Sequence, residues 1–232
     1  MRKRLFLMIL VVLVCFASFY VCEAGADTET EETLPEEVNR PEWKIGDEWE
    51  HKVTYIMKSG EEKEGFTSSQ KVLKKEEFEG IMCYVLSPSA RCSMRGYYTF
   101  DLNVKGFINK VGNKVLNRAK YTPDTRTYNW PLKVGKKWEQ SYTAITESRG
   151  WGGKGELKER KNTINAVLEV VGVEKVKVAA GEFLALRIIK EVDNTVTEEN
   201  WYSPKVKWFI KRKTYQKNDM IALWELVKYK VK

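Results

Sequence analysis

Trp43-Lys44-Ile45-Gly46-Asp47-Glu48-Trp49-Glu50-His51-Lys52-Val53-Thr54-Tyr55-Ile56-Met57 alternates from its second tryptophan as far as Tyr55. Trp49, His51, Val53, Tyr55 and Met57 share one face, and Glu50, Lys52 and Thr54 share the other. A period of two, with aromatic and β-branched residues on one side, marks a half-buried strand. The pattern recurs downstream. Leu184, Leu186 and Ile188 oppose Arg187 and Glu191. Val206, Trp208 and Ile210 oppose Lys205, Lys207, Lys211 and Lys213, with Phe209 the exception. Turn-forming pairs punctuate these runs: Ser59-Gly60, Glu79-Gly80, Gly112-Asn113, Gly181-Glu182, Asp193-Asn194 and Asn218-Asp219. No long stretch carries a helical stripe, and only 66–79 reads equally as a short helix or a strand pair. The expected fold class is all-β, with minor α at most: one antiparallel, strongly curved sheet or a half-open barrel.

The opening phrase returns. Lys44-Ile45-Gly46-Asp47-Glu48-Trp49-Glu50 is answered by Lys133-Val134-Gly135-Lys136-Lys137-Trp138-Glu139. Tyr97-Tyr98 followed by Phe107-Ile108 is answered by Trp201-Tyr202 followed by Phe209-Ile210. Such echoes suggest an internal duplication, with similar halves near 43–120 and 128–232. The second half is longer, and the glycine-rich run Arg149-Gly150-Trp151-Gly152-Gly153-Lys154-Gly155 is the candidate insertion. Trp151, set among glycines, is the expected exposed contact residue.

The N-terminus has the composition of an address. Arg2, Lys3 and Arg4 precede the uncharged, largely apolar run 5–21, and Ala24-Gly25-Ala26 supplies small residues for a peptidase. Residues 1–26 therefore read as a signal peptide cleaved before Asp27, the alternative being an uncleaved membrane anchor. The expected location is outside the cytoplasm: periplasm, cell surface or extracellular space. Residues 27–42 set seven acidic side chains and two prolines against Arg40 alone, which reads as a flexible acidic linker. Residues 43–232 then form a single antiparallel β domain. Cleavage leaves only Cys83 and Cys92, a candidate disulfide across Ser87-Pro88-Ser89.

The formal charge is +8 overall and +12 over residues 43–232. The lysines are dispersed and no nucleic-acid-binding motif is visible, so no nucleic-acid partner is expected. They read as solvated strand faces and guards on sheet edges. The single histidine, His51, lies on an apolar strand face and reads as a packed, hydrogen-bonded residue rather than a base. One histidine and two mature cysteines make a metal site improbable, and no cofactor motif occurs. No catalytic residues are assigned, and the chain is expected not to be an enzyme.

Four phrases in order carry a resemblance: Trp130-Pro131-Leu132-Lys133-Val134-Gly135-Lys136-Lys137-Trp138, Val176-Lys177-Val178-Ala179-Ala180-Gly181-Glu182-Phe183, Trp201-Tyr202-Ser203-Pro204-Lys205-Val206 and Glu225-Leu226-Val227-Lys228-Tyr229. With them the chain resembles a group of uncharacterised exported bacterial proteins. That group looks related in shape to lipoprotein carriers of the LolA and LolB kind. The resemblance implies a curved sheet around an apolar cavity, without obvious lid helices here. The expected function is a non-enzymatic envelope protein holding a lipid or other apolar ligand. Val53, Tyr55, Leu186, Ile188 and Trp208 are the candidate lining. One alternative is a structural or adhesive module that meets an envelope protein or an anionic surface. A third is an envelope-polymer hydrolase with paired carboxylates.

Overall fold

The computed structural model describes residues 33–57, 59–88, 94–150, 154–217 and 219–232. Residues 1–26, Cys92 and Trp151 lie outside the described residues. Among the described residues twelve strands follow one another: β1 (Glu48–Ile56), β2 (Glu62–Phe78), β3 (Ile81–Pro88), β4 (Met94–Tyr98), β5 (Val104–Val111), β6 (Lys114–Thr122), β7 (Lys137–Ser148), β8 (Lys158–Val178), β9 (Gly181–Val192), β10 (Thr195–Ser203), β11 (Trp208–Gln216) and β12 (Asp219–Lys230). The ambiguous window 66–79 falls almost wholly within the long strand β2.

Each strand pairs antiparallel with the next in sequence, and β12 returns to pair with β1, so the sheet closes into a barrel. The seam runs from Glu48↔Lys230 to Tyr55↔Ala222. Full closure goes beyond the half-open form expected above. Its physical consequence is that every described strand has a neighbour on both sides, although β8 extends past β9 over 158–165 and pairs there with β7 alone. Eight strands make a barrel just wide enough for side chains to fill. Twelve make a wider one, so part of this interior must be plugged or stay open.

It is plugged at one end. Antiparallel succession places the turns before β2, β4, β6, β8, β10 and β12 at one end, and the other connections at the opposite end. That second end is sealed by aromatic side chains. Trp43 is fully buried, with its ring centroid 5.1 Å from Trp49, 5.7 Å from Tyr84, 5.6 Å from Tyr98 and 5.0 Å from Trp208. Tyr128, Trp130 and Tyr202 form a second group with centroids 5.3 Å apart. Four indole N–H groups find acceptors in the connections there: Trp43 donates to the Lys207 carbonyl, Trp49 to Val206, Trp130 to Asp101 and Trp138 to Arg126. A buried tryptophan needs such a partner, and these bonds tie the loops to the core.

The repeated phrase is built twice in the same way. Gly46 N–H donates to the Val72 carbonyl, Val72 N–H to Asp47, and Asp47 N–H to Lys44. In the later copy Gly135 N–H donates to Val170, Val170 N–H to Lys136, and Lys136 N–H to Lys133. Both glycines have positive φ, 94° and 81°, a backbone that side chains with a Cβ seldom adopt. Strands β1–β6 follow the first turn and β7–β12 the second. The fully buried Asp47 is satisfied by the backbone N–H groups of Lys44 and Lys232, so it fastens the C-terminus to the turn.

Residues 33–42 do not run free as an acidic spacer. Val38 pairs with Leu132 through two backbone hydrogen bonds and is 3% exposed, Leu34 packs on the core, Glu37 pairs with Lys133, and Arg40 pairs with Asp101. Two apolar side chains and a backbone bridge are enough to order a segment that its charge alone would leave solvated.

The expected Cys83–Cys92 disulfide is corrected in one respect: Cys83 is a free, buried thiol. The β3–β4 register, Tyr84↔Tyr98 to Leu86↔Gly96, puts Cys83 at the far end of the hairpin from its turn. Cys83 instead packs with Val85, Tyr97, Phe78 and Ile108 in a small cluster apart from the main core. Burial pushes its thiol up to about 11, so it stays protonated at neutral pH.

Candidate functional site

Among the described residues two chambers stand out. Burial falls along β1: Trp49, His51 and Val53 are fully buried, whereas Tyr55, next on the same face, is 43% exposed. The first chamber, about 840 Å³, is bordered by β2, β3, β4, β5 and β12. Phe66, Leu86, Met94, Tyr98, Phe107 and Trp224 make its apolar wall, and Ser68 and Gln70 are among its few polar side chains. The Gln70 Oε1 atom is buried and has no hydrogen-bond partner. At the rim Phe66 lies 6.3 Å from Tyr55 and 6.0 Å, edge-on, from Trp224. Phe66 and Met94 remain 49% and 37% exposed. Apolar side chains left exposed at a cavity mouth are poorly used unless something apolar covers or crosses them.

The second chamber, about 330 Å³, has a different chemistry. Tyr121, Tyr128, Tyr142, Thr146, Lys190, Glu198 and Arg212 are among its lining, and it shares Tyr98 and Val104 with the first. The Lys190 ammonium lies 3.4 Å from the Tyr142 hydroxyl. The Arg212 guanidinium lies flat on Phe209 at 3.9 Å, and its Nε is 3.4 Å from Glu198 Oε1. That contact has ion-pair reach but not hydrogen-bond geometry, so the buried Nε donor is unused. Asn200 donates its side-chain amide to the same Glu198 oxygen. Among the described residues Lys190 meets no carboxylate within ion-pair reach.

Behind this chamber sits His51. Its ring stacks on Phe209 at 4.2 Å, and its Nε2 is 3.1 Å from the Phe209 carbonyl. A carbonyl only accepts, so Nε2 carries the proton and Nδ1, buried without a partner, does not. Burial chiefly, with Arg212 adding to it and the Phe209 carbonyl opposing, lowers its pKa to about 4. The imidazole is thus neutral at pH 7; it packs edge-on against Trp208 of the second chamber but lines neither chamber itself.

The residues expected to line a ligand fall into three places. Trp208 borders the second chamber. Val53, Leu186 and Ile188 are 0%, 2% and 2% exposed and belong to the filled part of the molecule. Tyr55 stands at the mouth against Phe66. The residues that dominate the two chambers, Phe66, Met94, Trp224, Lys190 and Arg212, were not singled out by sequence. A signal existed for Lys190, which continues the inward series Leu186, Ile188 as a charged residue on an apolar face.

No protein-family model matches the chain, and no curated protein matches it in sequence. Three solved structures are similar to it. One is an exported protein with a YmcC-like fold from Bacteroides fragilis, with TM-score 0.41, 12% identity, and coverage of 83% of this chain and 99% of that one. Another is a lipoprotein from Parabacteroides distasonis, with TM-score 0.35, 13% identity, and coverage of 83% and 99%. The third is the hypothetical lipoprotein YmcC of Escherichia coli, with TM-score 0.38, 9% identity, and coverage of 78% and 84%. None of the three is similar enough to lend this chain a function.

Proposed function

We propose that this chain is an exported, non-enzymatic protein of the cell envelope that holds an apolar or lipid-like molecule inside its barrel. The observation that carries the reading is the first chamber: about 840 Å³ of largely apolar space, bounded through Tyr98 by the tryptophan plug and lined at its mouth by the exposed Phe66 and Met94. Its size falls within the roughly 300–1,000 Å³ of small-molecule cavities. Transfer of an alkyl chain into it would contribute about 0.8 kcal/mol per CH₂. Export is supported by the positive, apolar and small-residue series of residues 1–26.

Two observations weigh against the alternatives. A closed barrel gives each described strand a neighbour on both sides, which confines strand-to-strand adhesion to overhangs such as 158–165 of β8. In the charged chamber Glu198 is the one carboxylate among the lining residues, so a hydrolytic pair lacks its second member there.

The test uses N-phenyl-1-naphthylamine, a neutral probe that brightens in apolar surroundings. The native chain should give a saturable rise. Phe66→Asp places a charge at the apolar rim, where Phe66 is already half exposed, and should weaken binding roughly tenfold or more with an unchanged thermal melt. No saturable rise, or equal binding by the variant, would contradict the reading.

A further inference from the structure

We propose that the occupant is a single-chain amphiphile with an anionic head, its chain in the apolar chamber and its head beside Lys190 and Arg212; this rests on the lipid-holding reading above. An apolar chain alone gives no reason for a charged neighbour. Placing cations inside a barrel carries a desolvation cost that persists unless something compensates it. Here two cations, Lys190 and Arg212, face a single carboxylate, Glu198. Glu198 lies 3.4 Å from Arg212 Nε and is also held by Asn200, so Lys190 is left with the Tyr142 hydroxyl at 3.4 Å and the face of the same ring at 5.6 Å. A buried donor on Arg212 remains unused as well. Unused donors beside an excess positive charge suit an oxyanion, which accepts charge-assisted hydrogen bonds from several directions.

The two chambers are adjacent, because Tyr98 and Val104 border both. A molecule with one greasy part and one charged part would meet each in turn. The answering phrases point the same way. Met94 stands three residues before Tyr97-Tyr98, and Glu198 stands three residues before Trp201-Tyr202. Equivalent places in β4 and β10 thus hold a thioether in one chamber and a charged group in the other. A carboxylate and a phosphate monoester offer the same oxyanion chemistry, so either head would serve.

Displacement of bound N-phenyl-1-naphthylamine at pH 8 separates the parts of the inference. Dodecanoate and dodecyl phosphate are compared with dodecanol, and with acetate and inorganic phosphate, which have heads but no chain. Dodecanoate, dodecyl phosphate or both should displace the probe at about tenfold lower concentration than dodecanol, the ratio expected of one good charged contact. Lys190→Gln should bring anion and alcohol level by weakening only the anion, and Lys190→Arg should restore the preference. Equal displacement by the native chain overturns the anionic head while leaving an apolar ligand intact, as does a preference that survives Lys190→Gln. Acetate or phosphate acting as well as the long-chain anions overturns the amphiphile, because the chain would then contribute nothing. A native chain that never binds the probe removes the lipid-holding reading itself.

Discussion

Trp43→Ala is expected to lower the unfolding free energy by about 4 kcal/mol, the middle of the range for deleting a fully buried tryptophan. The residue has no exposed surface and touches Trp49, Tyr84, Tyr98 and Trp208, which come from β1, β3, β4 and β11. These strands lie on both sides of the β1–β12 seam. Removing the indole opens a cavity that four large, mutually packed rings cannot refill. It also leaves the Lys207 carbonyl without its donor. Denaturant unfolding followed by far-UV circular dichroism measures the loss. A loss under about 1 kcal/mol, no more than that of an average point substitution, would show that the plug is not what holds this end together.

The second large effect concerns pH. His51 has its pKa lowered to about 4 in the folded chain, against 6.5 for the free side chain, mainly because burial penalises the imidazolium. A group with a depressed folded pKa makes the unfolded chain the better proton binder. Its contribution to stability is therefore complete above pH 6.5, falls as the pH drops towards 4, and is gone below that. The drop amounts to about 3 kcal/mol. Many carboxylates titrate in the same window, so the comparison must be made against His51→Gln. That side chain keeps an N–H for the Phe209 carbonyl and cannot be protonated. Between pH 7 and pH 4 the native chain should lose about 3 kcal/mol more than the variant. Parallel pH profiles would mean that His51 is hydrated in solution.

Much of this molecule is legible in its sequence, and the parts that are not fail for identifiable reasons. Strand alternation is written locally, so β1 and the inward face of β9 can be read from Trp49-x-His51-x-Val53 and Leu186-x-Ile188. The glycine turns are legible because Gly46 and Gly135 recur in matched phrases and both adopt positive φ. Closure is not legible. It depends on β12 meeting β1, residues more than half the chain apart, and nothing local to Glu48 or Lys230 marks that pairing. The division of the interior is hidden for another reason: alternation reports which side faces inward, but not whether the inside is full. Val53 and Tyr55 share one apolar face of β1, yet one is fully buried and the other is 43% exposed beside Phe66. The expected acidic spacer illustrates a third limit. Composition predicts solvation for 27–42, and the register of two apolar residues, Leu34 and Val38, overrides it over 33–42.

Lipid holding requires that the chamber lined by Phe66, Leu86 and Trp224 take up a molecule with an alkyl chain. Native mass spectrometry of the full chain, expressed with its N-terminal segment in a bacterial host and released without detergent, measures this directly. A second charge-state series is expected, heavier by the mass of one lipid-like molecule, that collapses to the bare protein on collisional activation and is depleted in Phe66→Asp. A single bare series from freshly released native protein, together with no mass gain after incubation with dodecanoate or dodecanol, would contradict it.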